Sequence, residues 1–301
     1  MNHLAPLDFP SERSWFTSQW NAVGWYCCVL VLLIGWLYSS IALHLAVQWR
    51  DDPNFSHGFF VPLFSIFVLW RDRSRLRALP LKPCSWGLSV VAFSLSILVL
   101  GEMGAELFLA RISGVLLAFG LVLLFLGANY LRAALFPLFF LFLMIPIPAI
   151  IFNQMTFPLQ MLASKLAASL LPWLGVPVLR EGNIINLPAM TLEVAEACSG
   201  IRSLLSLMTL AIIYGYLTSS IKWIRVGLAV AAVPIAIVAN SLRIVVTGLL
   251  AQYWNPDKAE GFFHLFSGWL VFLVSTIILF LLHKAAAWGA VERKRSRVFQ
   301  V

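Results

Sequence analysis

Residues 57–77 read HGFFVPLFSIFVLWRDRSRLR, a short apolar run that ends on Arg71, Arg73, Arg75 and Arg77. An apolar run closed by clustered arginines is the pattern of a membrane segment whose basic flank stays in the cytoplasm. No other basic cluster between apolar runs is as dense, so the remaining segments take their orientation from it. Upstream, the polar connection Gln48 to Ser56 leads back to an apolar run from Trp25 to Val47. That run has no small-residue cleavage site after it and reads as a retained span rather than a cleaved signal peptide.

The composition agrees. Of 301 residues, 61% are hydrophobic and only 11% are charged, against roughly 25% charged in a soluble domain. A water-facing globule of this size is excluded, and apolar runs long enough for a ~30 Å hydrocarbon core recur along the chain. The net charge of +8 is no nucleic-acid signal, because the basic residues sit in short loops between apolar runs.

Downstream, a third span covers about Trp86 to Leu100, a turn carries Glu102 and Glu106, and a fourth span reaches Leu126. A fifth runs from Arg132 to Ile145-Pro146-Ile147-Pro148, where proline ends or kinks the helix. Residues 153–174, bracketed by Pro158 and Pro172 and interrupted by Lys165, read as an interfacial or re-entrant helix. Residues 178–195 read as an extended hairpin turning at Gly182 over the outer surface. A sixth span starts at Cys198. Lys222 and Arg225 mark an inner loop, a seventh span runs to Trp254, and the last runs from His264 to Leu282. The expected fold is therefore an all-α polytopic membrane protein with about eight transmembrane helices, a re-entrant helix and a small outer β-hairpin. Residues 1–24 form a cytoplasmic N-terminal segment, 25–283 the membrane domain and 284–301 a basic cytoplasmic tail. On this assignment about 14 of the 21 basic residues lie inside; counting 153–174 as a crossing would reverse the sidedness of everything after it. Trp49, Trp70 and Trp254 read as interfacial belts.

Four cysteines are present. Cys27 and Cys28 read as packing residues, Cys84 sits in a loop, and no Cys/His spacing resembles a metal site. Only Cys198, in Ala197-Cys198-Ser199-Gly200-Ile201-Arg202, has a reactive context. Arg243, in Asn240-Ser241-Leu242-Arg243, and His264, in Phe263-His264-Leu265-Phe266-Ser267-Gly268, fall near the same outer depth. A thiolate at a helix start beside a cation is a nucleophile, and Arg202 shares a helical face with Cys198, whereas Glu193 and Glu196 oppose it. Histidine can take and return the thiol proton. A membrane-embedded arginine is functional by default, and Arg243 could steady an oxyanion; the bland alternative is a salt bridge to Glu193 or Glu196. His57, in Ser56-His57-Gly58, lies at another outer helix start and could line the same site, as could Asn240.

These motifs together resemble the exosortase family: the Cys198 and Arg243 motifs, His264 with Gly268, Ser56-His57-Gly58 and Ile145-Pro146-Ile147-Pro148, over most of the chain. The resemblance implies a membrane cysteine transpeptidase or protease of the bacterial inner membrane, with its site facing the periplasm. Its substrates would be PEP-CTERM proteins, which carry a Pro-Glu-Pro motif, one transmembrane helix and a basic tail. It further implies Cys198 as nucleophile, Arg243 as oxyanion or positioning group and His264 as acid/base; in archaeal relatives an arginine takes the histidine's place. Arg202, Asn240, His57 and Glu196 are supporting candidates. No metal or organic cofactor is expected. The partners are the tagged substrates, membrane lipids and an unidentified acceptor, polysaccharide or lipid-linked, and no nucleic acid. Family members of exopolysaccharide loci often carry a further periplasmic domain, which a chain ending after its last span is expected to lack. The competing readings are a transporter lined by Arg243 and the acids, and a scaffold for polysaccharide export in which Cys198 is structural. The site-end clustering of polar groups, and the lack of internal repeats, favour an enzyme over a transporter.

Overall fold

The computed structural model describes residues 25, 26, 28–194, 200–254 and 262–298, the last stretch with side chains over 268–289. Residues 1–47 and 48–301 form two units. The first carries α1 (Cys28–Leu37) and most of α2 (Ser39–Asp51), bent by 56° from it; the end of α2 from Gln48, with Trp49, belongs to the second. Cys28 is exposed in α1, so the expectation of a packing role fails for it: its helix turns that side chain outward. Cys27 lies outside the described residues.

In the second unit a 3-10 turn (Ser56–Phe59) opens α3 (Phe60–Arg71), and α4 (Arg73–Arg77) carries the arginine cluster. Next come α5 (Trp86–Met103) and α6 (Leu107–Leu121), a close antiparallel pair. Small residues let their backbones approach, as membrane helix pairs require: a Cβ on Gly101 would stand 2.7 Å from the Ala110 nitrogen. A π-helical turn (Val122–Leu126) and Gly127 lead into α7 (Ala128–Phe140).

The Pro146/Pro148 stretch then turns the chain by 85° into α8 (Ala149–Leu170). This is the elbow expected from two prolines that cannot continue a helix. Pro158, expected to bound a broken segment, lies inside α8 instead. The helix runs through it because Phe152, Thr156, Gln160, Ala163 and Ala167 form one buried stripe, and packing of an apolar face outweighs a single proline.

The hairpin is present as β1 (Leu179–Glu181) and β2 (Ile184–Asn186), turning through Gly182 at φ +67°. A third strand, β3 (Thr191–Glu193), extends it to an antiparallel sheet in the order β1-β2-β3. One face of the sheet buries Ile185 and Val194 against Ala163, Ala167 and Leu171, and against Ile244 and Val245 of the long helix α10 (Lys222–Tyr253). Ser164 Oγ donates to Gly182 O at 3.0 Å and pins the turn to α8.

The chain closes with α9 (Ile201–Thr218), α10 and α11 (Phe262–Val298). These pack around Leu207, Ala211, Ala232, Ala236 and Leu279. The last helix continues well past Leu282, where the apolar run ends. Its tail is rich in alanine, lysine and arginine, all good helix formers.

Among the described residues, five helices are long and apolar enough to cross a membrane, or up to seven if each bent pair is one span. Ser56–Arg71 is shorter, at about 24 Å along its axis. One end of the bundle is basic and tied together. Tyr216 Oη donates to Asp72 Oδ2 at 3.4 Å, and the Arg225 guanidinium sits 4.7 Å over the Tyr216 ring. The Arg71–Arg77 cluster and the Lys222/Arg225 loop therefore share one end, as the sidedness argument requires.

Trp49 departs from its expected place. It is buried, and its Nε1 donates to Met144 O at 2.8 Å. It packs directly on Gly58, where any Cβ would collide with the indole, so it locks the entry to α3 rather than anchoring at an interface. Trp70 and Trp254 are exposed.

Candidate active site

At the end of the bundle opposite the arginine cluster, α10 presents Asn240 and Arg243, one turn apart and both buried. Both hold interactions in the structure. Three other elements converge on them. Gly200, the N-cap of α9, stands at φ +77° against the Asn240 side chain, and a Cβ there would lie 2.9 Å from Asn240 Cβ and Cγ. Glycine is required twice over, once by the left-handed backbone and once by the contact. The end of β3 supplies the second element: Leu192, Glu193 and Val194 line a cavity of about 30 Å³ with Arg243, Ile244 and Thr247. The third is α11, where a Cβ on Gly268 would stand 3.8 Å from Arg243 Cζ. The missing side chain at 268 leaves room for the guanidinium.

The expected nucleophile Cys198 and its neighbour Glu196 lie outside the described residues. So does the His264 side chain, although the α11 backbone includes that position. Of the other candidates, Arg202 is exposed in the first turn of α9, and its Nε donates to Asn54 Oδ1 at 3.4 Å, a long bond. Asn54 is itself held in a turn through its N–H to Asp52 Oδ1 at 2.9 Å. His57 follows three residues later, buried beside the Phe55 ring and the backbone of Leu143 and Asn54, with Nδ1 unpartnered. Arg202 and His57 thus belong to one corner, where the 3-10 turn packs against the start of α9. Arg243 and Asn240 belong to the α10 face beside it. Among the described residues no ion pair joins Arg243 to Glu193, although both border one cavity; Glu196, the other expected partner, is not described.

Sequence reasoning missed Asn54, whose only signal was its place in the polar connection before His57. It also passed over Arg111, buried in α6 with Nε unpartnered; that residue belongs to the α5–α6 pair rather than to this face. Below Arg243, α10 and α11 enclose an apolar groove of about 500 Å³ lined by Pro234, Val238, Leu242, Leu270 and Val274. Among the described residues no cluster of His, Cys, Asp or Glu could hold a metal ion.

Neither a curated protein nor a solved structure matches the chain closely enough to carry an argument. The sequence pattern of the transmembrane exosortases matches residues 49–281, from the tryptophan that locks α3 to the body of the last helix, with every element of the site between. That match covers well over half of the 301 residues, and the chain belongs to the transmembrane exosortase family.

Proposed function

We propose that this chain is a membrane cysteine transpeptidase or protease that cleaves C-terminal PEP-CTERM sorting signals at the outer face of the inner membrane. One observation carries the reading. The segment 195–199, which contains Cys198, begins at Val194, on the cavity that Arg243 lines, and ends at Gly200, pressed on Asn240. Covalent geometry alone keeps residue 198 within about 7 Å of Gly200, Cα to Cα. That proximity supports the reading in which Cys198 and Arg243 act together.

The Cys198 thiolate attacks the scissile carbonyl, forming the S–C bond, and the carbonyl π electrons pass to oxygen. Arg243, beside the side-chain-free Gly268, supplies donors to that oxyanion. His264 delivers a proton to the departing amine as the C–N bond breaks and the thioester forms. An acceptor amine, hydroxyl or water then attacks the thioester and expels the Cys198 thiolate, with His264 taking the acceptor's proton, so that the thiolate and the protonated imidazole are restored. In this reading the protein crosses the membrane eight times, the short Ser56–Arg71 helix included. The arginine cluster then faces the cytoplasm and the site the periplasm.

The test is processing of a tagged PEP-CTERM substrate in membranes at matched expression. The parent should shorten the substrate, and Cys198→Ala should leave it full length. Arg243→Ala and His264→Ala should slow it. Continued processing by Cys198→Ala overturns the enzyme reading and brings the transporter and scaffold readings forward.

A further inference from the structure

The sheet beside the site ends on β3, to which no strand is paired among the described residues, and the bonding pattern identifies which atoms that edge offers. In the β2–β3 ladder, Ile185 faces Leu192 and Ile184 faces Glu193. Just outside the strands, Val194 N donates to Asn183 O and Leu187 N donates to Met190 O, each at 2.9 Å. Antiparallel strands alternate bonded and non-bonded pairs. The bonded pairs are therefore 183/194, 185/192 and 187/190. Leu192 and Val194 turn their backbone groups inward to β2. Thr191 and Glu193 turn theirs outward, and among the described residues no backbone hydrogen bond meets them. Both are exposed, and in the sheet order β1-β2-β3 no described strand lies beyond them, while α10 covers the buried face of β3 through Ile244 and Val245.

The position of this edge sets it apart from the β1 edge, which packs near α8. β3 borders the cavity lined by Arg243 and runs directly into residues 195–199. An extended chain paired to it would lie along the strand that leads to the nucleophile, with alternate side chains turned toward the Arg243 cavity.

We infer that β3 binds the scissile segment of the peptide substrate as a fourth strand, through the backbone N–H and C=O groups of Thr191 and Glu193. The inference rests on the catalytic reading of Cys198 and adds how that site holds its substrate. Backbone pairing explains how one site accepts many proteins, because main-chain groups are common to all of them. Selectivity then comes from alternate side chains. Water satisfies the edge when no substrate is present.

Proline separates the roles of the two kinds of position. At Thr191 or Glu193 the backbone donor it removes points outward, which an edge strand tolerates; at Thr191 it also removes the hydroxyl bond to Asn186 Oδ1 at 3.0 Å, as the alanine variant does. At Leu192 it removes a ladder bond and breaks the sheet. Thr191→Pro and Glu193→Pro should each lower kcat/KM on the tagged substrate about tenfold, the scale of one lost hydrogen bond. The loss should fall mainly in KM, with thermal stability and iodoacetamide labelling of Cys198 unchanged. Thr191→Ala and Glu193→Ala remove the same side chains but keep the N–H, so each should lose less than its proline counterpart. A second measurement covers the case in which proline destabilises the fold. A synthetic substrate peptide, N-methylated at one residue at a time, should lose turnover at every second position through the bound segment. Proline variants that match their alanine counterparts with the fold intact, or an N-methyl scan without alternation, overturn strand addition and leave the catalytic reading standing. A Cys198→Ala chain that still processes substrate overturns the catalytic reading itself, and with it the substrate-binding role of β3.

Discussion

Replacing Gly200 by alanine isolates the contact that fixes the start of α9. Two separate costs apply. The φ of +77° is left-handed, and an L-residue there costs roughly 1–2 kcal/mol. The new Cβ would also stand 2.9 Å from two carbons of Asn240, and overpacking of this kind costs roughly 1–3 kcal/mol. Gly200→Ala should therefore lose about 2–5 kcal/mol in total. The two parts can be divided. Asn240→Ala removes the Cγ half of the obstruction and should return only part of the overpacking cost, so the double variant should be less destabilised than the two single losses added together. Gly200→Asn should recover part of the backbone cost, because asparagine enters the left-handed region more easily, while keeping the clash. Reversible unfolding in mixed micelles titrated with SDS, followed by tryptophan fluorescence, gives these differences. Iodoacetamide labelling of Cys198 reports in parallel whether the adjoining segment has moved. A Gly200→Ala loss under about 0.5 kcal/mol, the range of neutral surface changes, would refute the geometry. So would strict additivity with Asn240→Ala.

Three further outcomes follow from contacts at Gly268, Gly58 and Ser164. Gly268→Ala places its Cβ at an ordinary 3.8 Å from Arg243 Cζ and should leave substrate processing near the parent level. Gly268→Leu should displace the guanidinium and abolish processing while the purified protein still elutes as a folded species. Gly58→Ala drives a Cβ into the Trp49 ring and should cost about 1–3 kcal/mol, read as a lowered melting temperature that Trp49→Ala does not produce by the same route. Ser164→Ala removes the donor to Gly182 O; it should cost about 1 kcal/mol and speed amide exchange in the 181–183 turn.

Much of the fold was legible in the sequence because apolar runs and their basic flanks are strong signals. The β1–β2 hairpin was legible because Gly182 sits between two short extended runs. β3 was not, because three residues after Pro188 are too few to show alternation. Pro158 misled for the opposite reason: a local breaker is conspicuous, whereas the buried stripe that overrides it is set by tertiary packing. Trp49 looked like an anchor by position alone, and only the bare α-carbon of Gly58 beneath it explains its burial. At the site, the sequence named Arg243 through its costly place in an apolar helix, and Asn240 through the motif it shares with Arg243. It linked Gly268 to His264 in one motif without showing that the glycine makes room for Arg243. The meeting of β3, α9, α10 and α11 joins parts of the chain far apart in sequence, which spacing along one helix cannot reveal.

The brevity of β3 bears on how long anything stays bound. Two outward residues offer four hydrogen bonds, worth about 2–6 kcal/mol together, and the middle of that range corresponds to roughly millimolar affinity. A strand this short cannot retain a peptide alone. On the proposed function, most of the grip comes from the substrate's apolar segment in the bilayer, and cleavage by Cys198 would separate that segment from what remains on the edge. Dissociation of each half would then be fast, and the slow event in each cycle would be the handover from thioester to acceptor.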